Sequence, residues 1–336
     1  MSTKTSPATF AATLPALLRR ATRTTLIAGF FVAASAAIAQ SFPAKTIKFV
    51  VPFPAGSATD VVARVLADAM GKELGQSVVV DNKAGAQGTI GATEVKGAAP
   101  DGYTILVTTS TTQAAVVSLL KKVSYDPVKD FTPIGKIATT PFVLITNEKV
   151  PATDLKSFIA YAKANPGKVR FGQGSSGSWV SGSLFASMIG ADMQMIPYKG
   201  IPPAITDMLG ANIEVVFADL GNAQAQIKGG KVKAFGVTSL RRAPQLPDLP
   251  AITEQVPGYE LVPWFALMAP ANLPKEIGAK LTATLQTVLK QPGVKERLNA
   301  AGFDIDSTDA AGLATLIESE IKRWGQLTKA AKIEAE

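Results

Sequence analysis

The chemistry open to this chain is set first by what it lacks. Its 336 residues include no His and no Cys. That excludes Ser-His-Asp triads, Cys-His dyads, imidazole and thiolate metal sites, and disulfides. Most hydrolase and zinc-enzyme classes fall with them. Carboxylates, Lys, Tyr, hydroxyls and backbone donors remain. Such donors gather in glycine loops. Pro52-Phe-Pro-Ala-Gly-Ser-Ala-Thr-Asp60 joins an apolar run to a helical pattern. Gly56 lets the backbone turn sharply, and Ser57, Thr59 or Asp60 can cap the helix. Free N–H groups of that first turn, with the helix dipole, make an anion site. A capped turn without function fits the same residues.

A second loop, Phe171-Gly-Gln-Gly-Ser-Ser-Gly-Ser178, also lies between strand and helix. Gly172, Gly174 and Gly177 match G-x-G-x-x-G, a dinucleotide fingerprint. The next strand, however, ends Pro197-Tyr198-Lys199, where that fingerprint needs an acidic residue for the ribose. Glycines and serines offering N–H and O–H donors to a small anion fit better. The third segment, Asn82 to Gly91, carries three glycines at spacing three and either flanks a pocket or packs tightly. Ser118-Leu-Leu-Lys121 matches S-x-x-K but lacks the companion motifs of acyl-transfer enzymes. Asp304, Asp306 and Asp309 have no Gly for a cation loop and sit where a helix needs its cap.

The elements that must position these loops alternate. Thr46–Val51 reads as a strand and Ala58–Leu74 as a helix, with Val62, Val65, Leu66, Ala69 and Met70 at helical spacing and Gly75 as its stop. Further strands are expected at 77–80, 103–107, 142–146, 169–171, 193–197, 213–217, 232–238 and 261–269. Helices are expected at about 89–96, 113–120, 155–164, 178–189, 203–209 and 223–228, with a helical C-terminus over 275–289, 294–301 and 310–329. This alternation predicts an α/β fold with mostly parallel sheets, whose ligands sit at strand carboxyl ends. So many strands suggest two lobes, with crossings expected near Ile145–Val150 and Tyr259–Pro263, where Pro and Gly gather.

The first 39 residues form a separate region. They hold Lys4, Arg19, Arg20 and Arg23, no acidic residue, and an uncharged stretch ending Ala37-Ile38-Ala39. A basic start, a short apolar run and a small-residue site predict a secretory signal peptide cleaved near Gln40. The run is too short and Ala-rich for a membrane anchor. Without the four basic residues of 1–39, 30 basic and 26 acidic side chains remain, a net +4. No Lys/Arg run exceeds two, so nucleic acid is not an expected partner. An exported, cysteine-free chain fits a bacterial periplasm.

Several blocks, in order, resemble one family. They are Phe53–Asp60, Asp81–Gly88, Ala99-Pro-Asp-Gly-Tyr103, Ile196-Pro-Tyr-Lys-Gly200, Lys233–Ser239, Leu246-Pro-Asp-Leu-Pro250 and Pro263-Trp-Phe-Ala-Leu267. The family is the substrate-binding receptors of tripartite tricarboxylate transporters, the Bug proteins, and the match spans nearly the whole mature chain. The resemblance implies a type II periplasmic-binding-protein fold, with lobe 1 over 40–146 plus 263–336, lobe 2 over 147–262, and a two-crossing hinge. It implies a small carboxylate gripped in the cleft by both glycine loops. Carried onto this chain, the ligand contacts are Phe53, Ala55, Gly56, Ser57, Ala58, Thr59 and Asp60 in the first loop. In the second they are Gly174, Ser175, Ser176, Gly177, Ser178 and Trp179. Thr108 and Thr109 follow a strand end, and Tyr198 and Asp219 approach from the second lobe.

The chain departs from the family pattern at four places. Ser57 replaces a glycine, Trp179 stands where a His is common, Ser183 replaces a Glu, and Phe217-Ala-Asp219 stands for Phe-Asp-Asn. Trp179 either stacks on an aromatic carboxylate or packs against the helix behind its loop. The expected protein is a monomeric receptor without catalysis, cofactor or metal, handing its carboxylate to transporter membrane subunits or a sensor kinase. An exported α/β enzyme, or a nucleotide-binding module using the Gly172-Gly174-Gly177 loop, is the alternative.

Overall fold

The computed structural model describes residues 1–6 and 42–336. The chain divides into two units, Met1–Ser41 and Phe42–Glu336. In the first, residues 1–6 are exposed and carry no regular secondary structure. The predicted signal peptide otherwise lies outside the described residues. No helix among the described residues is long and apolar enough to cross a membrane.

In the second unit the chain runs β1 (Ile47–Val51), α1 (Ala58–Leu74), β2 (Val78–Asn82), α2 (Thr89–Lys96) and β3 (Thr104–Thr109). A π-helical turn at Thr111–Ala115 leads into α3 (Val116–Leu119), then β4 (Phe131–Thr139) and β5 (Phe142–Thr146). Next come α4 (Leu155–Ala164), β6 (Val169–Gln173), α5 (Ser176–Ile189), β7 (Met193–Pro197), α6 (Ile201–Leu209), β8 (Val215–Asp219), α7 (Leu220–Lys228) and β9 (Lys233–Val237). The chain ends with β10 (Trp264–Pro270), α8 (Lys275–Lys290), α9 (Pro292–Ala300), β11 (Asp304–Thr308) and α10 (Ala310–Ala330).

These strands build two sheets, β11-β4-β10-β3-β1-β2 and β7-β6-β8-β5-β9. In the first, β10 and β11 run against the other four. In the second, only β5 is reversed. Most strands therefore point one way in each sheet, and the helices that follow them begin at one edge. Helix α1 shows how local sequence produces this. Val62, Ala63, Leu66 and Met70 are buried against Phe49 and Val107. At its end Gly75 takes the left-handed conformation at φ 66° and caps the Gly71 and Lys72 carbonyls.

Strands β4 and β11 were not expected. Pro133 and Gly135 interrupt the β4 pattern, and both residue types weaken a strand reading. Here β4 lies between β10 and β11 in irregular register, so tertiary pairing outweighs local propensity. The first crossing also moves. β5 pairs with β8 and β9, so residues 142–146 belong to the second sheet and the chain crosses at Thr140–Pro141, not at 145–150. The return lies beside it at Leu261–Pro263. Backbone and side chain tie the two together. The Thr140 N–H donates to Pro263 O at 3.2 Å. Thr238 Oγ1 accepts from the Phe142 N–H and donates to Leu261 O.

The C-terminal segment does not serve the first sheet alone. Leu313 and Ile317 of α10 pack with Leu106 and Trp264. Further along the helix, Trp324 packs with Phe158, Phe185 and Tyr259 behind the second sheet. One amphipathic helix thus spans both cores.

Candidate functional site

Helix starts from both sheets converge on one small cavity between them. The side of the first sheet supplies Phe53, Ser57, Ala58, Thr59, Thr109 and Thr111. From the second come Phe142, Gly174, Ser175, Ile201 and Asp219, and Pro263 and Phe265 follow the return crossing.

The first loop is built by capping. Gly56 turns at φ 78°, the left-handed region, which an L side chain enters only at a cost. Ser57 is the α1 N-cap, its Oγ accepting from the Asp60 N–H. The Ala58 and Thr59 N–H groups, which the helix cannot satisfy, take no partner among the described residues. Asp60 faces away from this space. Its carboxylate accepts from the Gly56 N–H (3.0 Å), Arg64 Nε (2.9 Å) and Asn82 Nδ2 (3.0 Å). Burial opposes its ionisation, but Arg64, the Gly56 N–H and Asn82 outweigh burial and hold the carboxyl below its ordinary value. Asp60 is therefore the pin of the loop, and it positions the donors without lining the cavity.

The second loop closes on itself through serine. Ser175 caps α5, and its Oγ and the Ser178 N–H are partners. Ser178 Oγ accepts from the Gly174 and Ser175 N–H groups. The Ser176 and Gly177 N–H groups are left without intramolecular partners among the described residues. Gly174 is needed for close approach. A Cβ there would lie 2.4 Å from Gly200 C and Ile201 N, both backbone atoms. Ser176 Oγ reaches across to Gln87 Oε1 at 3.2 Å, so the Asn82–Gly91 segment touches the second loop; none of its residues lines the cavity, and Gly88 and Gly91 pack closely against Thr112 and Pro52. Ala86 and Gln87 there carry positive φ.

Of the expected contacts, Phe53, Ser57, Ala58, Thr59, Thr109, Gly174, Ser175 and Asp219 line the cavity. Ala55, Gly56, Asp60, Thr108, Ser176, Gly177 and Ser178 are not among its lining side chains. Thr108 Oγ1 is a neighbour of Gln113 instead. Trp179 is buried in the core with Phe142, Phe171 and Leu119, which is the packing alternative and removes it as a stacking surface. Tyr198 points to Asp207, to which its hydroxyl donates. Burial and that carboxylate push its phenol up to about 12. Thr111, Phe142, Ile201, Pro263 and Phe265 were not anticipated. Thr111 continues the hydroxyl run 108–112, and Pro263 and Phe265 lie in a block that resembled the family. Phe142 and Ile201 carry no polar signature. Asp309 caps α10 through the Gly312 N–H, and Asp306 pairs with Lys136, so the aspartate run has structural partners.

No Lys or Arg is among the cavity residues. The one ionisable group is Asp219, 8% exposed at the end of β8. Burial pushes its carboxyl up to about 6, against the pull of its own N–H and the Asn222 amide.

This architecture has counterparts. The model of the tripartite tricarboxylate transporter family receptor matches residues 62–333, and the chain belongs to that family. The structure of the periplasmic binding protein BugD is 37% identical, with a TM-score of 0.84 over 88% of this chain and 100% of that one. An R. palustris protein with adipate is 32% identical, TM-score 0.86, covering 88% of this chain and 100% of its own. MatC from Rhodopseudomonas palustris with bound malate is 33% identical, TM-score 0.79, over 85% and 99%. The mixed α/β fold is thus that of periplasmic binding proteins.

Proposed function

We propose that this chain is an exported receptor that captures a small organic carboxylate between its two sheets and presents it to the membrane subunits of a tripartite transporter or to a sensor. One observation carries the reading. Two helix N-termini, α1 and α5, face one cavity from opposite sheets with unpaired N–H groups and no cationic side chain. Such donors suit a carboxylate, and each is worth more where water is excluded. Because the donors come from both sides of the paired crossings, the ligand itself would join the two halves, which is hinge closure. Relatives with adipate and malate support the ligand class. The residues that grip the ligand are Ser57, Ala58 and Thr59 on one side and Gly174 to Gly177 on the other, through the free N–H groups of Ser176 and Gly177. Export follows from the predicted leader over 1–39, cleaved near Gln40. Nothing in this reading needs turnover of the ligand.

Thermal unfolding of the mature chain, refolded to strip ligand, tests the proposal against small carboxylates with NADP as control. A carboxylate at a hundredfold excess over its dissociation constant adds about 2.7 kcal/mol of stability. Stabilisation by NADP and by no carboxylate would return the second loop to its dinucleotide reading.

A further inference from the structure

A cleft built to hold an anion has a carboxylate in its own wall. Asp219 is more than nine-tenths buried, lines the cavity, and makes no side-chain cap bond to α7, whose N-terminus it occupies. No salt bridge reaches it among the described residues. The nearest cation on α1, Arg64, is committed to Asp60. The space also continues past this carboxylate. A neighbouring cavity shares Ala58 and Asp219 and is closed by Val61, Asn222, Ala301 and Phe303, none of them charged. Asp219 thus stands where the far end of a ligand held by the two loops would lie.

We propose that Asp219 is the specificity-determining residue of the cleft and selects an amino-carboxylate, whose ammonium it pairs with, over a dicarboxylate. This rests on the reading that the loops hold a carboxylate. A buried carboxylate without a cationic partner is costly, and a ligand ammonium offsets that cost while forming a charge-assisted hydrogen bond. A second ligand carboxylate at the same place meets like charge in a water-poor cavity, which specificity by repulsion exploits. The elevated carboxyl has the same origin, since burial is its largest cause.

The test is calorimetric titration of matched pairs at pH 7.5 into the stripped mature chain. The pairs are β-alanine and succinate, 4-aminobutyrate and glutarate, 5-aminopentanoate and adipate, and L-alanine and methylmalonate. They span a range of distances from loop to Asp219. In at least one pair the amino-carboxylate is expected to bind tenfold or more tightly than its dicarboxylate. Asp219→Asn, close in shape and checked for folding by circular dichroism, should weaken that amino-carboxylate at least tenfold while dicarboxylate binding holds or improves. Preference for dicarboxylates in every pair, with ratios unchanged in Asp219→Asn, overturns the role of Asp219 and leaves the receptor reading intact. Failure of every acid to bind either protein overturns both.

Discussion

The carboxylate in the cleft wall should also be visible in stability, without any ligand. In the folded chain Asp219 is raised from an ordinary 3.8 to about 6. A displacement of that size corresponds to about 3 kcal/mol. Its sign is fixed by linkage. Below about pH 4 the group is protonated whether the chain is folded or not, and burial costs nothing extra. Between pH 4 and 6 the unfolded chain gives up the proton first, so this group's contribution falls as pH rises. Above pH 6 the folded chain carries the full cost. Asp219→Asn abolishes the titration, so the variant should gain on wild type as pH rises, by about 2.4 kcal/mol between pH 4 and pH 7.5. Urea unfolding of both stripped proteins at half-unit pH steps reads this difference directly. A constant offset from the altered contact with Asn222 does not affect it, because the slope is what is measured. Parallel curves across the range would refute the claim that Asp219 is buried without a charge partner. A variant that gains stability while losing ligand selection would show a site kept at a thermodynamic cost.

Three further outcomes follow from the contacts. Gly174→Ala places a Cβ against backbone atoms of Gly200 and Ile201, which no side-chain rotation relieves. The loop must part from α6, so calorimetry should show ligand affinity reduced at least tenfold, with roughly 1–3 kcal/mol lost in urea unfolding. Gln87→Asn keeps a residue that tolerates positive φ but shortens the reach to Ser176, removing a hydrogen bond across the cleft. Stopped-flow release should quicken a few-fold, as expected for about 1 kcal/mol, with equilibrium unfolding nearly unchanged. Glu320 is buried beneath the crossings and its Oε2 accepts from both Trp264 Nε1 (3.2 Å) and Trp324 Nε1 (3.1 Å). Glu320→Ala leaves two buried indole donors unpaired and should cost roughly 2–5 kcal/mol in urea unfolding, while Glu320→Gln keeps an acceptor and costs less.

What the sequence made legible divides along a physical line. The loop at Phe53–Asp60 announced itself because capping, a tight turn and free N–H groups all depend on residues a few positions apart. The same holds for Gly174–Ser178, and the family blocks carried the fold as a whole. The crossing at Thr140–Pro141 was misplaced because it depends on which sheet Phe142–Thr146 joins, and four apolar residues and a threonine pair equally well with either. Strand β4 was missed because its Pro and Gly argue against a strand until β10 and β11 flank it. Trp179 illustrates the limit at the site itself. One position separates a side chain on the cavity from one in the core, and the helix phase behind a glycine loop decides between them. Phe142 and Ile201 were invisible because an apolar cavity wall and an apolar core look alike in a sequence. Asp219 stood out because its carboxylate is displaced from the usual pattern, and its meaning depends on burial without a cation, which only the fold supplies. The division has a functional logic. Donors that any carboxylate can use belong to backbone at helix starts, where few side chains matter. Discrimination among carboxylates falls to wall residues such as Asp219, which can change without disturbing the loops.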